Sequence, residues 1–99
     1  MPTPRRGCRR WSASAPSQTD PERARRWAAR RLSVGRRIRT LRIERGLTQE
    51  ALSLQSGVTR NVLVDVEAGK RGLLYERLFD LAEALEVSAW ELLTIDGDI

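Results

Sequence analysis

Ninety-nine residues (11.2 kDa), 40% of them hydrophobic and 31% charged, can build one small soluble domain with a tail but not two domains closing on a cleft. No membrane span is expected, because apolar runs stop at lengths such as Val62-Leu63-Val64, and the absence of histidine with a single cysteine, Cys8, removes most catalytic and metal constellations. The net charge of +5 divides unevenly: residues 1–45 set fourteen arginines against Asp20, Glu22 and Glu44 (+11), whereas residues 46–99 set Arg60, Lys70, Arg71 and Arg77 against ten carboxylates (−6). A basic half of this kind suits a polyanion such as nucleic acid, although a general bias toward arginine also fits a GC-rich coding sequence.

Residues 1–19 hold three of the four prolines and almost no aliphatic side chains, so they do not repay the entropy of ordering and are expected as a disordered basic tail. Its Arg5, Arg6, Arg9 and Arg10 beside Trp11 suit either a solvated tail or an arm that tracks phosphates and stacks on a base. Over residues 20–33 a basic helical extension is predicted. Asp20 can cap it, Pro21 fits the first helical position, Glu22 suits the positive terminus, and Ala24, Trp27, Ala28 and Leu32 form a narrow apolar stripe. Trp27 is expected to anchor this extension on the domain. The stripe stays in phase with Val34, Ile38 and Leu41, so the extension either runs on or breaks near Ser33 and Gly35.

Residues 34–94 predict an all-α domain of five short helices, with a C-terminal tail over 95–99. The first helix buries Val34, Ile38 and Leu41 and ends at Gly46; the second, capped by Thr48, buries Ala51 and Leu52, turns Gln55 outward and ends at Gly57. Thr59 caps a third helix with Leu63 and Val66 inward, so that two short helices joined by a tight glycine turn form a helix-turn-helix. A fourth helix follows Lys70-Arg71-Gly72 with Leu74, Leu78, Leu81, Ala82 and Leu85 on one face, and Ser88 caps a last helix over 89–93. None of these stripes is stable alone, so all must bury one another in a single core.

Ile38-Arg39-Thr40-Leu41-Arg42, Gly46-Leu47-Thr48-Gln49-Glu50, Leu52, Gly57-Val58-Thr59, Leu63, Val66-Glu67 and Gly69-Lys70-Arg71 together resemble the lambda-repressor/Cro-like (XRE) helix-turn-helix family. The likeness continues ungapped through Leu78, Leu81-Ala82, Ala84-Leu85, Val87-Ser88 and Leu92-Leu93. It implies a cytoplasmic, sequence-specific transcriptional regulator of repressor type, from a bacterium or phage. Its recognition helix, Thr59 to Ala68, would lie in the major groove of double-stranded DNA. With Leu63 and Val66 inward, Arg60, Asn61, Val64 and Asp65 turn outward as candidate base contacts. Arg60 suits guanine, Asn61 adenine or a phosphate, Val64 a thymine methyl and Asp65 cytosine N4. Gln49, at the start of the second helix, with Lys70 and Arg71 are candidate phosphate contacts. By the family pattern Arg42 and Glu67 form a buried structural ion pair, with a secondary phosphate contact open to Arg42, while Arg36, Arg37, Arg39 and Arg45 are read as a solvated face.

The sequence departs from that pattern at Val64 and Asp65, at Ser53 in the helix crossing, at Gly72-Leu73-Leu74, which leaves Leu73 or Leu74 exposed, and at Glu86, where glycine usually ends a helix. A homodimer is expected, with Trp90, Leu93 and Ile95 as candidate contacts, although Trp90 fits the core equally well. The alternative is an antitoxin-like protein-interaction module with Val62, Val64, Leu73 and Leu74 as an apolar contact surface. No cofactor and no metal is expected. Enzymatic function is not expected, since no nucleophile has an evident partner.

Overall fold

The computed structural model describes residues 20–94. Five helices follow in order: α1 (Pro21–Glu44), α2 (Gln49–Ser56), α3 (Arg60–Glu67), α4 (Tyr75–Leu85) and α5 (Ala89–Leu92), and the described residues contain no strand. The core is an all-α assembly of Ile38 and Leu41 from α1, Leu52 from α2, Val58 from the turn, Leu63 and Val66 from α3, Leu78, Leu81, Ala82 and Leu85 from α4, and Leu92 from α5. Every element contributes, as expected of helices too short to stand alone.

The chain punctuation acts where the residue types place it. Asp20 accepts a hydrogen bond from the Glu22 N–H (3.0 Å), Thr48 from Ala51 (3.0 Å) and Thr59 from Val62 (3.4 Å). Ser88 makes no such bond to the backbone; its hydroxyl pairs with Glu91 Oε2 at 3.1 Å instead. The end of α1 closes through Gly46 N–H to Ile43 O (2.9 Å) and Leu47 N–H to Arg42 O (3.0 Å).

α1 runs unbroken through Ser33 and Gly35, which decides between continuation and a break. Gly35 does not interrupt the helix; it lets another helix approach. A Cβ at that position would fall on the carbonyl oxygen of Val66, so the missing side chain is what allows α1 to cross the end of α3.

Residues 21–30 are all exposed, because α1 leaves the domain before Arg31. The expectation that Trp27 anchors the extension is therefore corrected: it is 39% exposed and belongs neither to the core cluster nor to the side chains packed against it. Of the two readings of Leu74, the buried face of α4 is corrected, and the exposure expected from the Gly72-Leu73-Leu74 departure is what the structure has. α4 begins only at Tyr75, with Leu74 as its extended N-cap (φ −66°, ψ 150°), which takes the side chain out of the buried stripe and leaves it 71% exposed. Ala51 is half-buried rather than fully enclosed.

Glu86 occupies the position where glycine is usual and adopts the left-handed conformation itself (φ 61°, ψ 41°). Its carboxylate accepts from Arg45 Nη1 at 2.8 Å and its carbonyl from Arg45 Nη2 at 3.3 Å, joining the end of α4 to the end of α1. Arg45 thus departs from the solvated-face reading, as does Arg37, whose Nε donates to Glu91 O at 3.3 Å; Arg36 and Arg39 remain exposed.

Candidate nucleic-acid interface

The eight residues of α3 divide into two faces. Leu63, Val66 and Glu67 are buried, while Arg60, Asn61 and Val64 are exposed, followed one turn later by exposed Ala68. These four form one continuous outward stripe at helical spacing. Asp65 sits at its edge, half-buried, and so is less available than its helical phase alone suggests. Ala68 is a further member of the stripe that the sequence reading missed, although its position four residues beyond Val64 carried the signal.

What holds this helix in place is a charged cluster beneath its C-terminal end. Arg42 Nε donates to Glu67 Oε2 at 2.7 Å and Nη2 to Oε1 at 3.0 Å, a two-pronged geometry that suits a planar guanidinium. Arg42 Nη1 donates to Leu47 O at 2.8 Å, and Gln49 Nε2 donates to Glu67 Oε1 at 3.1 Å. The side chains of Arg42 and Glu67 are only 12% and 4% exposed, so each depends on the other for compensation. One carboxylate thereby ties α1, α2 and α3 together.

That network changes the candidate phosphate contacts at α2. The Gln49 side chain is engaged by Glu67, leaving the first-turn N–H groups of α2 as the part of this residue's surroundings that faces an anion. Arg42 has three of its five N–H groups committed inside the protein. Arg42, Thr48, Gln49, Glu50 and Arg60 nevertheless line one shallow concavity of about 350 Å³ where α2 meets the start of α3.

On the other side of α3 the chain leaves through a left-handed Gly69 (φ 77°). Gly69 N–H bonds Val66 O (3.0 Å) and Lys70 N–H bonds Asp65 O (2.8 Å), closing the helix end. Exposed Lys70 and Arg71 follow at once. Gly69 also packs directly on Leu32 of α1, so any side chain there would meet both an unfavourable backbone conformation and a neighbour.

Trp90 is 69% exposed, which excludes the core reading for it, and Leu93 is 52% exposed; Ile95 lies outside the described residues, as do Cys8, Trp11 and the arginines of the tail. Among the described residues no group of three or more Cys, Asp or Glu could hold a metal ion, and no helix is long and apolar enough to cross a membrane.

Two short helices at a tight turn, the second gripped on one side and open on the other, define a helix-turn-helix unit. The helix-turn-helix family HTH_3 matches residues 38–91, more than half of the chain, and the chain belongs to it. An uncharacterised HTH-type transcriptional regulator of Sinorhizobium fredii is 43% identical over 61 residues, covering 62% of this chain and 79% of that protein. Among solved structures, the restriction-modification controller protein C.AhdI from Aeromonas hydrophila aligns with a TM-score of 0.64 at 37% identity, covering 66% of this chain and 94% of that one. The hypothetical transcription factor NHTF from Neisseria aligns with a TM-score of 0.65 at 28% identity, covering 70% and 79%.

Proposed function

We propose that this protein is a sequence-specific DNA-binding transcriptional regulator of repressor type that seats α3 in the major groove. The observation that carries this reading is the outward stripe of Arg60, Asn61 and Val64 on a helix locked from behind by the Arg42–Glu67 pair. Membership of HTH_3 and the likeness to proteins named as a transcriptional regulator and a restriction-modification controller support it. Arg60 pairs with guanine O6 and N7, Asn61 with adenine or a phosphate, Val64 meets a thymine methyl, and Asp65, reaching from the edge of the stripe, accepts from cytosine N4. Lys70, Arg71 and the N-terminus of α2 at Gln49 hold the phosphates on either side, with Arg42 in support.

The protein acts as a homodimer on paired half-sites about one helical turn apart. Exposed Trp90 and Leu93 supply its apolar contact, on the last helices, which also carry Glu76, Asp80, Glu83, Glu86 and Glu91. A second reading, an antitoxin-like interaction module, draws on Leu74 (71% exposed) beside half-buried Leu73 and Val62, an apolar rim on the concavity between the α2–α3 turn and the start of α4.

Selection of bound fragments from random duplexes tests the main reading. The expected result is a two-fold-symmetric site, and Arg60→Ala with Asn61→Ala lowers affinity for it by about 1–3 kcal/mol per base pairing removed while sparing non-specific binding. Unchanged affinity in that double variant overturns the reading of α3.

A further inference from the structure

The first half of α1 has no task in the domain. Its ten residues from Pro21 to Arg30 are exposed throughout and span about 15 Å at helical rise. A helix of this length with no packing would be marginal by itself, but here it only propagates from a packed half that is already nucleated. Four of its side chains are guanidinium groups, Arg23, Arg25, Arg26 and Arg30, and none makes a salt bridge among the described residues. Arg23 with Arg26, and Arg26 with Arg30, stand at the three- and four-residue spacings where like charges repel. The local charge is therefore kept against local stability.

The position of this rod relative to α3 is fixed by three contacts in sequence. Gly35 lies on the Val66 and Glu67 carbonyls, Leu32 on Gly69, and Arg31 reaches Gly72, so that moving toward the start of α1 runs alongside the chain leaving α3. The free turns thus continue past the loop that carries Lys70 and Arg71. Arg30, Arg31 and Arg71 line one cleft there, and no carboxylate is among its lining residues. Arg31 Nε is enclosed in that cleft with no hydrogen-bond partner.

We propose that the projecting turns of α1 form a second DNA-backbone contact, in which Arg23, Arg25, Arg26 and Arg30 extend the phosphate track of Lys70 and Arg71 along the duplex. The occupant is duplex DNA because the rod carries four arginines against one carboxylate, Glu22 at its tip, and continues a loop placed beside the proposed reading helix. Arg23, Arg26 and Arg30 share one face of the helix, with Arg25 off it, and a stripe of arginines with no Asn, Gln, Ser or Thr among residues 21–30 suits a run of phosphates rather than a set of base edges. It adds affinity and footprint length without altering sequence preference. This inference rests on the DNA-binding reading given above.

The test uses the full chain and a duplex carrying its selected site, with affinity measured as a function of salt. Replacing all four residues, Arg23→Gln, Arg25→Gln, Arg26→Gln and Arg30→Gln, lowers the slope of log K against log salt by about 0.9 for each phosphate no longer neutralised, hence by about 2–4 in total. The selected sequence stays the same and the backbone footprint shortens. Lysine at the same four positions keeps the wild-type slope, because phosphate tracking needs charge rather than guanidinium geometry, and a common far-ultraviolet circular dichroism spectrum confirms that all three proteins fold alike. A glutamine variant with the wild-type slope and footprint overturns the arm, while loss of base preference in Arg60→Ala/Asn61→Ala leaves the main reading standing. The converse pattern keeps the arm and removes the roles given to α3. A wild-type chain that binds no duplex overturns both.

Discussion

Glu67 is the residue on which the geometry of α3 turns. Its carboxylate is almost fully enclosed, receives two bonds from Arg42 and one from Gln49, and sits on the helix that presents Arg60 and Asn61 to solvent. Removing one partner strands the other away from water, so Glu67→Ala and Arg42→Ala are each expected to cost about 3–5 kcal/mol, read as a lower urea midpoint at constant slope. Replacing both by apolar residues of similar volume is expected to cost less than either truncation. Losses that simply add would mean the two side chains do not compensate one another. Gly35 is a second case in which one atom decides. Alanine there gains about 1 kcal/mol of helix propensity, yet its Cβ would collide with backbone rather than with a movable side chain. Overpacking of that kind costs about 1–3 kcal/mol or more, so Gly35→Ala is expected to be net destabilising in the same urea experiment, and a stabilised variant would show that α1 and α3 can separate without loss.

At the scale of the element, the helices and their caps were legible because each is written locally. Thr48 and Thr59 stand before apolar residues at helical spacing, and Ile38, Leu52, Leu63, Val66, Leu81 and Leu85 announce the core by their period. The candidate reading stripe was legible for the same reason, as the complement of Leu63 and Val66. Less legible were features set by partners distant in sequence. Whether Gly35 breaks a helix or admits a neighbour depends on Val66, thirty-one positions away; whether Trp27 is covered depends on where the domain stops; whether Arg45 is solvated depends on Glu86. The exposure of Leu73 or Leu74 was legible from the Gly72-Leu73-Leu74 departure, but which of the two was not, because the phase of α4 is set by where its first turn begins and neither is a strong capping residue.

Glu86 gives this scale its own test. A non-glycine residue in the left-handed region costs about 1–2 kcal/mol, whereas an exposed ion pair such as Arg45–Glu86 returns about 0.2–1 kcal/mol. Glu86→Gly relieves the first and forfeits the second, so thermal unfolding is expected to show a midpoint equal to or above that of the parent. Glu86→Ala forfeits the pair without relieving the backbone and should fall below it. Equal midpoints for the glycine and alanine variants would mean the left-handed turn carries no strain.

On the scale of the whole molecule, the last two helices combine acidic charge with exposed apolar side chains. α4 and α5 carry Glu76, Asp80, Glu83, Glu86 and Glu91 together with exposed Tyr75, Phe79, Trp90 and Leu93, while α5 packs on α1 through Arg37 and Leu93 lines the cleft that holds Arg30, Arg31 and Arg71. These apolar side chains are the ones available for a partner on the last two helices, and their acidic neighbours disfavour contact with a duplex. The proposed homodimer places a second copy of the chain against that end, and two copies would then each present one α3 to successive turns of the groove. Sedimentation equilibrium at tens of micromolar is accordingly expected to return twice the 11.2 kDa chain mass, and Trp90→Ser with Leu93→Ser to return the single mass, since neither residue belongs to the core. The same variant should bind an isolated half-site as the parent does but forfeit the cooperative gain on a paired site. Because half-site affinity is assigned to α3 and the pairing to Trp90 and Leu93, which lie on another helix, the two effects separate in one titration. A parent chain that remains at 11.2 kDa both free and on a paired site would place the dimer contact, and the apolar end with it, outside the regulatory mechanism.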